Sequence, residues 1–121
     1  MRILVVDDDN TFCEFLREIL REKGHDVDAT TRALEGYKMS QRNFYDLLIF
    51  DVRMPFLTGT ELAEGLKQQS AATKIILISA FADDTLRDTA RHIGVPILAK
   101  PFTTEQFLWL VTKTILPERT L

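Results

Sequence analysis

Leu47-Leu48-Ile49-Phe50-Asp51-Val52-Arg53-Met54-Pro55 decides how this chain folds: four apolar residues run without a break into a carboxylate and then into turn chemistry. A run this short, bounded in this way, reads as a strand buried on both faces, with its first polar side chain at the carboxyl end. Open parallel sheets bind ligands outside the carboxyl ends of their strands, so Asp51 stands where such a sheet does its chemistry. The plainer duty for Asp51 is to cap the next helix. Pro55 and the distance to the helical pattern near Gly59 weigh against it, since an N-cap sits immediately before its helix.

The same pattern recurs on either side. Ile3-Leu4-Val5-Val6 ends in Asp7-Asp8-Asp9, Ile75-Ile76-Leu77-Ile78 ends at Ser79, and Val95-Pro96-Ile97-Leu98-Ala99 ends at Lys100. His25 to Thr30 alternates apolar and polar instead, the mark of a half-buried strand at a sheet margin. Pro96 lacks an N–H and suits an edge strand.

Helical stripes lie between these strands. Thr11 reads as an N-cap before Phe12, Phe15, Leu16, Ile19 and Leu20, with Lys23-Gly24 as the stop. A weaker helix over 33–42 carries Leu34, Tyr37 and Met39, and Thr58-Gly59 opens one through Leu62, Ala63 and Leu66. Asp83-Asp84 start the fourth, with Leu86, Ala90 and Ile93 on one side and Gly94 at its end. Thr103 and Gln106 form a capping box before a fifth helix through Phe107, Val111 and Ile115, which Pro117 and a polar tail follow.

Five strands alternating with five helices imply a single doubly wound α/β domain over residues 1–121 with a five-stranded parallel sheet. Strands 1, 3 and 4 are continuously apolar and need neighbours on both sides, which leaves strands 2 and 5 for the edges. With right-handed crossovers the order is 2-1-3-4-5, helices 1 and 5 on one face and helices 2, 3 and 4 on the other.

A chain of 121 residues with 45% hydrophobic content can bury a core without disulfides. A net charge of −3 with mixed signs forms no basic stripe and argues against direct nucleic-acid binding. No apolar run is long enough to span a bilayer and no signal-peptide pattern precedes the first strand, so a soluble, cytoplasmic protein is expected. The single Cys13 lies among apolar helical positions and reads as packing.

The expected topology gathers Asp7 and Asp8 after strand 1, Asp51 after strand 3, Ser79 after strand 4 and Lys100 after strand 5. Three carboxylates side by side repel one another unless a cation neutralises them. All-oxygen ligands select a hard ion, and Mg²⁺ fits because it takes few carboxylates and keeps several waters. An Asp oxygen in such a pocket can attack phosphorus to give an aspartyl phosphate, with Mg²⁺ and Lys100 stabilising the transferring charge and Ser79 bonding a phosphoryl oxygen. Each residue also has a plain reading: Asp9 as a helix cap, Ser79 as a loop residue, Lys100 as a surface charge. Pro101 makes the Lys100 backbone look fixed and allows a cis peptide.

Taken in order, Ile3 to Asp9, Leu48 to Pro55 with Gly59, Ile78-Ser79-Ala80 and Lys100-Pro101-Phe102 make the whole chain resemble the receiver domain of two-component response regulators, with the flavodoxin-like fold of the chemotaxis regulators. The resemblance implies that Asp51 accepts a phosphoryl group from a phosphohistidine on a sensor histidine kinase or phosphotransfer protein. It implies Mg²⁺ held by Asp7, Asp8, Asp51 and the main-chain carbonyl of Arg53, with Ser79 and Lys100 reading the phosphate. Signalling, and a possible homodimer, would use the face made by helix 4, strand 5 and helix 5.

The chain departs from the family where a Tyr or Phe usually stands three residues before the lysine; Ile97 occupies that position and has no ring to rotate. It is expected to pack alike with and without phosphate, leaving readout to helix 4. Arg53 and Phe81, each two residues past Asp51 and Ser79, are bulky enough to modulate access of water to the phosphoryl group. His25 and His92 fall at the amino end of the sheet, away from this chemistry, and are expected on the surface. Leu108-Trp109-Leu110 is wider than one buried stripe requires and marks either a partner face or close internal packing.

Other functions fit less well. An Asp-nucleophile phosphohydrolase of the dehalogenase type would carry an acid where Arg53 stands. Flavin binding would set a phosphate against Asp7-Asp8-Asp9. A phosphate-independent interaction domain would leave the acidic set without a purpose. The expected protein is a switch rather than a metabolic enzyme, its chemistry confined to its own phosphorylation and dephosphorylation.

Overall fold

The computed structural model describes residues 1–116, so Pro117 and the polar tail lie outside the described residues. The chain alternates β1 (Arg2–Val6), α1 (Asn10–Glu22), β2 (Asp26–Thr30), α2 (Ala33–Arg42), β3 (Leu47–Asp51), α3 (Gly59–Gln69), β4 (Ile75–Ser79), α4 (Asp84–Ile93), β5 (Ile97–Ala99) and α5 (Thr104–Ile115). All pairings are parallel and the sheet order is β2-β1-β3-β4-β5. Among the described residues no helix is long and apolar enough to cross a membrane.

Successive side chains of a strand point to opposite faces, and that period of two divides the core. Ile3, Val5, Leu47, Ile49, Ile76 and Ile78 pack under α1 and α5 with Leu16, Leu20, Phe107 and Val111. Leu4, Val6, Leu48, Phe50, Ile75 and Leu77 pack under α2, α3 and α4 with Leu62, Leu66 and Ala90. Every residue of β3 and β4 is buried, which is why both strands read as unbroken apolar runs. Each large side chain so removed from water contributes about 1.5–3 kcal/mol.

Local chemistry sets the boundaries, in places differently from what the sequence suggests. Asp9, not Thr11, caps α1: its extended backbone lets the carboxylate accept the Phe12 N–H at 3.2 Å, while Thr11 is already inside the first turn. The expected capping box of Thr103 with Gln106 forms, and the structure adds a second at the start of α3, Thr58 with Glu61. Gly94 ends α4 with φ 86°, a left-handed conformation that suits glycine. β5 begins at Ile97 rather than Val95, because the Val95 N–H bonds back to the Ala90 carbonyl and Pro96 has no N–H to extend the ladder.

Some apolar positions face outward. Phe15 is 47% exposed while Cys13 takes the buried place on α1, and Leu34 is exposed while Ala33 and Gly36 turn inward on α2. Trp109 is 63% exposed with the Lys113 ammonium 4.7 Å from its ring centre, so its packing is outward while Leu108 and Leu110 rest on the core. His92 is exposed as expected, but His25 is half-buried, its Nδ1 without a hydrogen-bond partner among the described residues, and burial lowers its pKa.

Two positions after β3 make opposite demands. A Cβ on Gly59 would run into the main-chain carbonyl of Asp51, so α3 can start this close to β3 only with glycine there. Phe56 holds φ 71° although it is not glycine, and its ring is fully exposed, so packing does not offset the strain. Phe56→Gly is therefore expected to stabilise the chain by about 0.5–1 kcal/mol, the relief of left-handed strain less the entropy of an added glycine. Gly59→Ala is expected to destabilise it by about 1–3 kcal/mol. Urea midpoints at unchanged slope measure both.

Candidate phosphoryl-transfer site

Register brings the functional side chains together. Val6 pairs with Phe50, so Asp7 follows beside Asp51; Ser79 pairs with Ala99, so Lys100 follows at the next step, its N–H donating to the Ser79 carbonyl at 2.8 Å. Counting by twos from the core, Asp7 continues the parity of Ile3 and Val5, Asp51 that of Leu47 and Ile49, and Lys100 that of Leu98. All three therefore emerge on the α1–α5 side at the end of the sheet. Ser79 has the other parity and points differently.

Asp7 is 2% and Asp51 7% exposed, whereas Asp8 is open to solvent. Carboxylate oxygens of the three lie within 4.8 Å of one another. The Lys100 ammonium reaches Asp7 at 3.3 Å and Asp51 at 3.5 Å. Three carboxylates and one ammonium leave two negative charges in a largely buried pocket, the charge one divalent cation would neutralise. The frustration is visible in the acids. Burial, then the charges of Asp7 and Asp8, push the Asp51 carboxyl up to about 6, with Lys100 opposing. Burial also raises Asp7, against a hydrogen bond from the Asp9 N–H and the pull of Lys100.

The surroundings hold these groups in place. The Asp9 N–H donates to Asp7 Oδ1 at 2.9 Å, and the Cys13 thiol donates to the Asp7 carbonyl at 3.2 Å. That thiol is pushed up to about 11, mainly by burial, which makes it a packing group rather than a nucleophile. The Lys100–Pro101 peptide is cis. Ser79 Oγ accepts the Phe81 N–H at 3.0 Å, and among the described residues no hydrogen bond joins it to Asp51 or Lys100. Arg53 is exposed and Phe81 is 64% exposed, both on the loops that rim the pocket. Ile97 is half-buried against the α2–α4 layer of the core, away from the acids.

Sequence reasoning missed one neighbour. The face of the Phe12 ring lies 4.0 Å from the Lys100 ammonium. Phe12 read as one more member of an apolar stripe; the available signal was its place in the first turn of α1, directly after the acidic loop. The reason for Gly59, a close approach to the Asp51 backbone, likewise required coordinates.

Comparison with known proteins agrees with this geometry. The family model described as response regulator receiver domain matches residues 3–112. A response regulator receiver protein of Anaeromyxobacter sp. (strain Fw109-5) is 32% identical over 108 residues, 88% of this chain and 45% of that protein. The transcriptional regulatory protein CusR of Escherichia coli (strain K12) is 29% identical over 89% of this chain and 48% of its own length. The chain thus spans about half the length of these curated relatives. The non-phosphorylated HemR receiver domain of Leptospira biflexa superposes with a TM-score of 0.90 at 27% identity, covering 99% of this chain and 98% of that one. With its parallel sheet in the same order and its acids at the carboxyl end, the chain belongs to the response regulator receiver domain family.

Proposed function

We propose that this domain is a phosphorylation-dependent switch that accepts a phosphoryl group on Asp51 from a phosphohistidine of a sensor kinase or phosphotransfer protein. The observation that carries this reading is the meeting of Asp7, Asp8 and Asp51 within 4.8 Å, with Lys100 bridging two of them. An all-oxygen donor set carrying two uncompensated charges suits Mg²⁺, with Asp7, Asp8, Asp51 and the Arg53 carbonyl as the residues that would hold it. Among the described residues no main-chain N–H is bonded to that carbonyl. Bound there, the ion would supply charge neutralisation for the incoming phosphoryl oxygens.

In the transfer, an Asp51 carboxylate oxygen forms the bond to phosphorus as the P–N bond of the donor breaks. The imidazole leaves with the electron pair and takes up a proton. Lys100, already on Asp51, moves its ammonium to a phosphoryl oxygen as carboxylate charge is consumed. Ser79 would leave the Phe81 N–H to bond another phosphoryl oxygen, drawing the β4–α4 loop inward. With Ile97 in place of an aromatic ring, output would pass mainly through α4, and the face made by α4, β5 and α5 could pair with a second copy. The domain would turn over no separate metabolite, would not itself touch nucleic acid or membrane, and would work in the cytoplasm. The relatives' length leaves room for an attached output domain, which a receiver would control.

Incubation with Mg²⁺ and acetyl phosphate is expected to place one acid-stable, hydroxylamine-labile phosphoryl group on the parent and none on Asp51→Asn; equal labelling of the two contradicts the assignment. Phe81→Ala is expected to shorten the lifetime of the acyl phosphate by opening the approach of water to phosphorus, followed as loss of label after donor removal.

The metal-free domain carries a pH signature. A carboxyl near 6 in the fold and near 3.8 unfolded binds more protons folded, so its charge destabilises the fold increasingly as pH rises through that window. Asp51→Asn is expected to be more stable than the parent at pH 7 by about 1–3 kcal/mol, with the difference vanishing near pH 4. Urea unfolding in chelator at both pH values measures it.

A further inference from the structure

We infer that Phe12 is a positioning residue for Lys100, and that its ring face holds the ammonium over the pocket when the carboxylates no longer can. This rests on the phosphoryl-transfer reading above and adds a residue to it. Three groups surround the Lys100 Nζ: an Asp7 oxygen at 3.3 Å, an Asp51 oxygen at 3.5 Å and the Phe12 ring centre at 4.0 Å. The first two are charges that a divalent cation and a phosphoryl group on Asp51 would neutralise. The third is not, because an aromatic face attracts a cation through its quadrupole and keeps doing so whatever the acids carry. The ring also accepts no strong hydrogen bond, so it leaves the ammonium N–H groups for phosphoryl oxygens.

The ring is itself held. Phe12 meets Phe102 edge-on, centroids 5.9 Å apart and planes at 71°. Phe102 stacks on Phe107 at 5.7 Å, and Phe107 is wholly buried. A continuous aromatic column thus runs from the core through the residue two places after Lys100 to the face that touches its ammonium. It joins the first turn of α1 to the loop before α5, the two segments whose separation would let Lys100 swing out.

Phe12→Leu keeps an apolar side chain but removes the quadrupole, and Phe12→Tyr restores a ring face. The probes are Mg²⁺ alone and, in its presence, beryllofluoride as a stand-in for the phosphoryl group. For Phe12→Leu, beryllofluoride affinity is expected to fall about three- to tenfold, the range of a partly desolvated cation–π contact. Mg²⁺ affinity is expected to change less than about twofold, since charge–charge attraction to the carboxylates dominates it. Phe12→Tyr is expected to bind beryllofluoride like the parent. Independently of binding, the Lys100 Cε protons are expected to be ring-current shifted upfield in the parent and in Phe12→Tyr, and not in Phe12→Leu. Equal beryllofluoride affinity in parent and Phe12→Leu overturns the inference, as does a Phe12→Tyr variant as weak as Phe12→Leu or a parallel loss of Mg²⁺ affinity that marks a general defect. A parent that binds Mg²⁺ but no beryllofluoride overturns the phosphoryl-transfer reading itself, and the inference with it.

Discussion

The structure is organised around an unfavourable interaction: three carboxylates held together at the end of a sheet, two of them nearly out of water. Left alone, such a cluster opposes folding, because buried like charges repel and are poorly solvated. Lys100 relieves part of it by bridging Asp7 and Asp51, and Asp51 relieves more by holding its proton to about pH 6. What remains is a standing demand for positive charge at one place, a demand that a hard divalent ion would answer and that the proposed phosphoryl transfer would use. On the proposed function, stability lost in the unphosphorylated domain would be the source of its chemistry.

Two regularities make the cluster possible. Parallel pairing aligns the carboxyl ends of β1, β3, β4 and β5, so residues more than ninety positions apart, Asp7 and Lys100, become neighbours. The two-residue period of the strands then sends Asp7, Asp51 and Lys100 to the α1–α5 side and Ser79 to the other. Lys100 consequently rests on the acids and on Phe12, while Ser79, the last residue of β4, accepts the N–H of Phe81 in the loop that follows. Resting contacts on the acids on one side and a hydroxyl tied to a loop N–H on the other form an asymmetry that a phosphoryl group on Asp51 would disturb.

Much of this was legible in the residues because the strongest local signals and the fold agree. Unbroken apolar runs marked the buried strands, alternation marked the β2 edge, and Thr58-Gly59 and the Thr103–Gln106 capping box marked helix starts where they occur. Legibility failed where two local solutions compete. Asp9 and Thr11 are both good N-caps, and only the backbone turn after β1 decides for Asp9. Phe15 and Cys13 both fit an apolar stripe, and only the packing of α1 on the sheet shows Cys13 inside and Phe15 47% exposed. Phe56 gives no sign in its side chain that the loop will demand a positive φ. At the site, the identities of Asp7, Asp8, Asp51 and Lys100 could be read from strand ends, whereas the ring beside Lys100 depends on how α1 packs, which no strand-end pattern encodes.

The central claim is that the clustered acids await a divalent cation at a single place. Isothermal titration of the domain with Mg²⁺ at neutral pH tests it most directly, in the parent and in Asp8→Asn, the exposed acid whose neutralisation least disturbs the core. A single binding event whose affinity falls at least about tenfold in Asp8→Asn is the predicted result. An isotherm without saturable binding, or one that Asp8→Asn leaves unchanged, would contradict it.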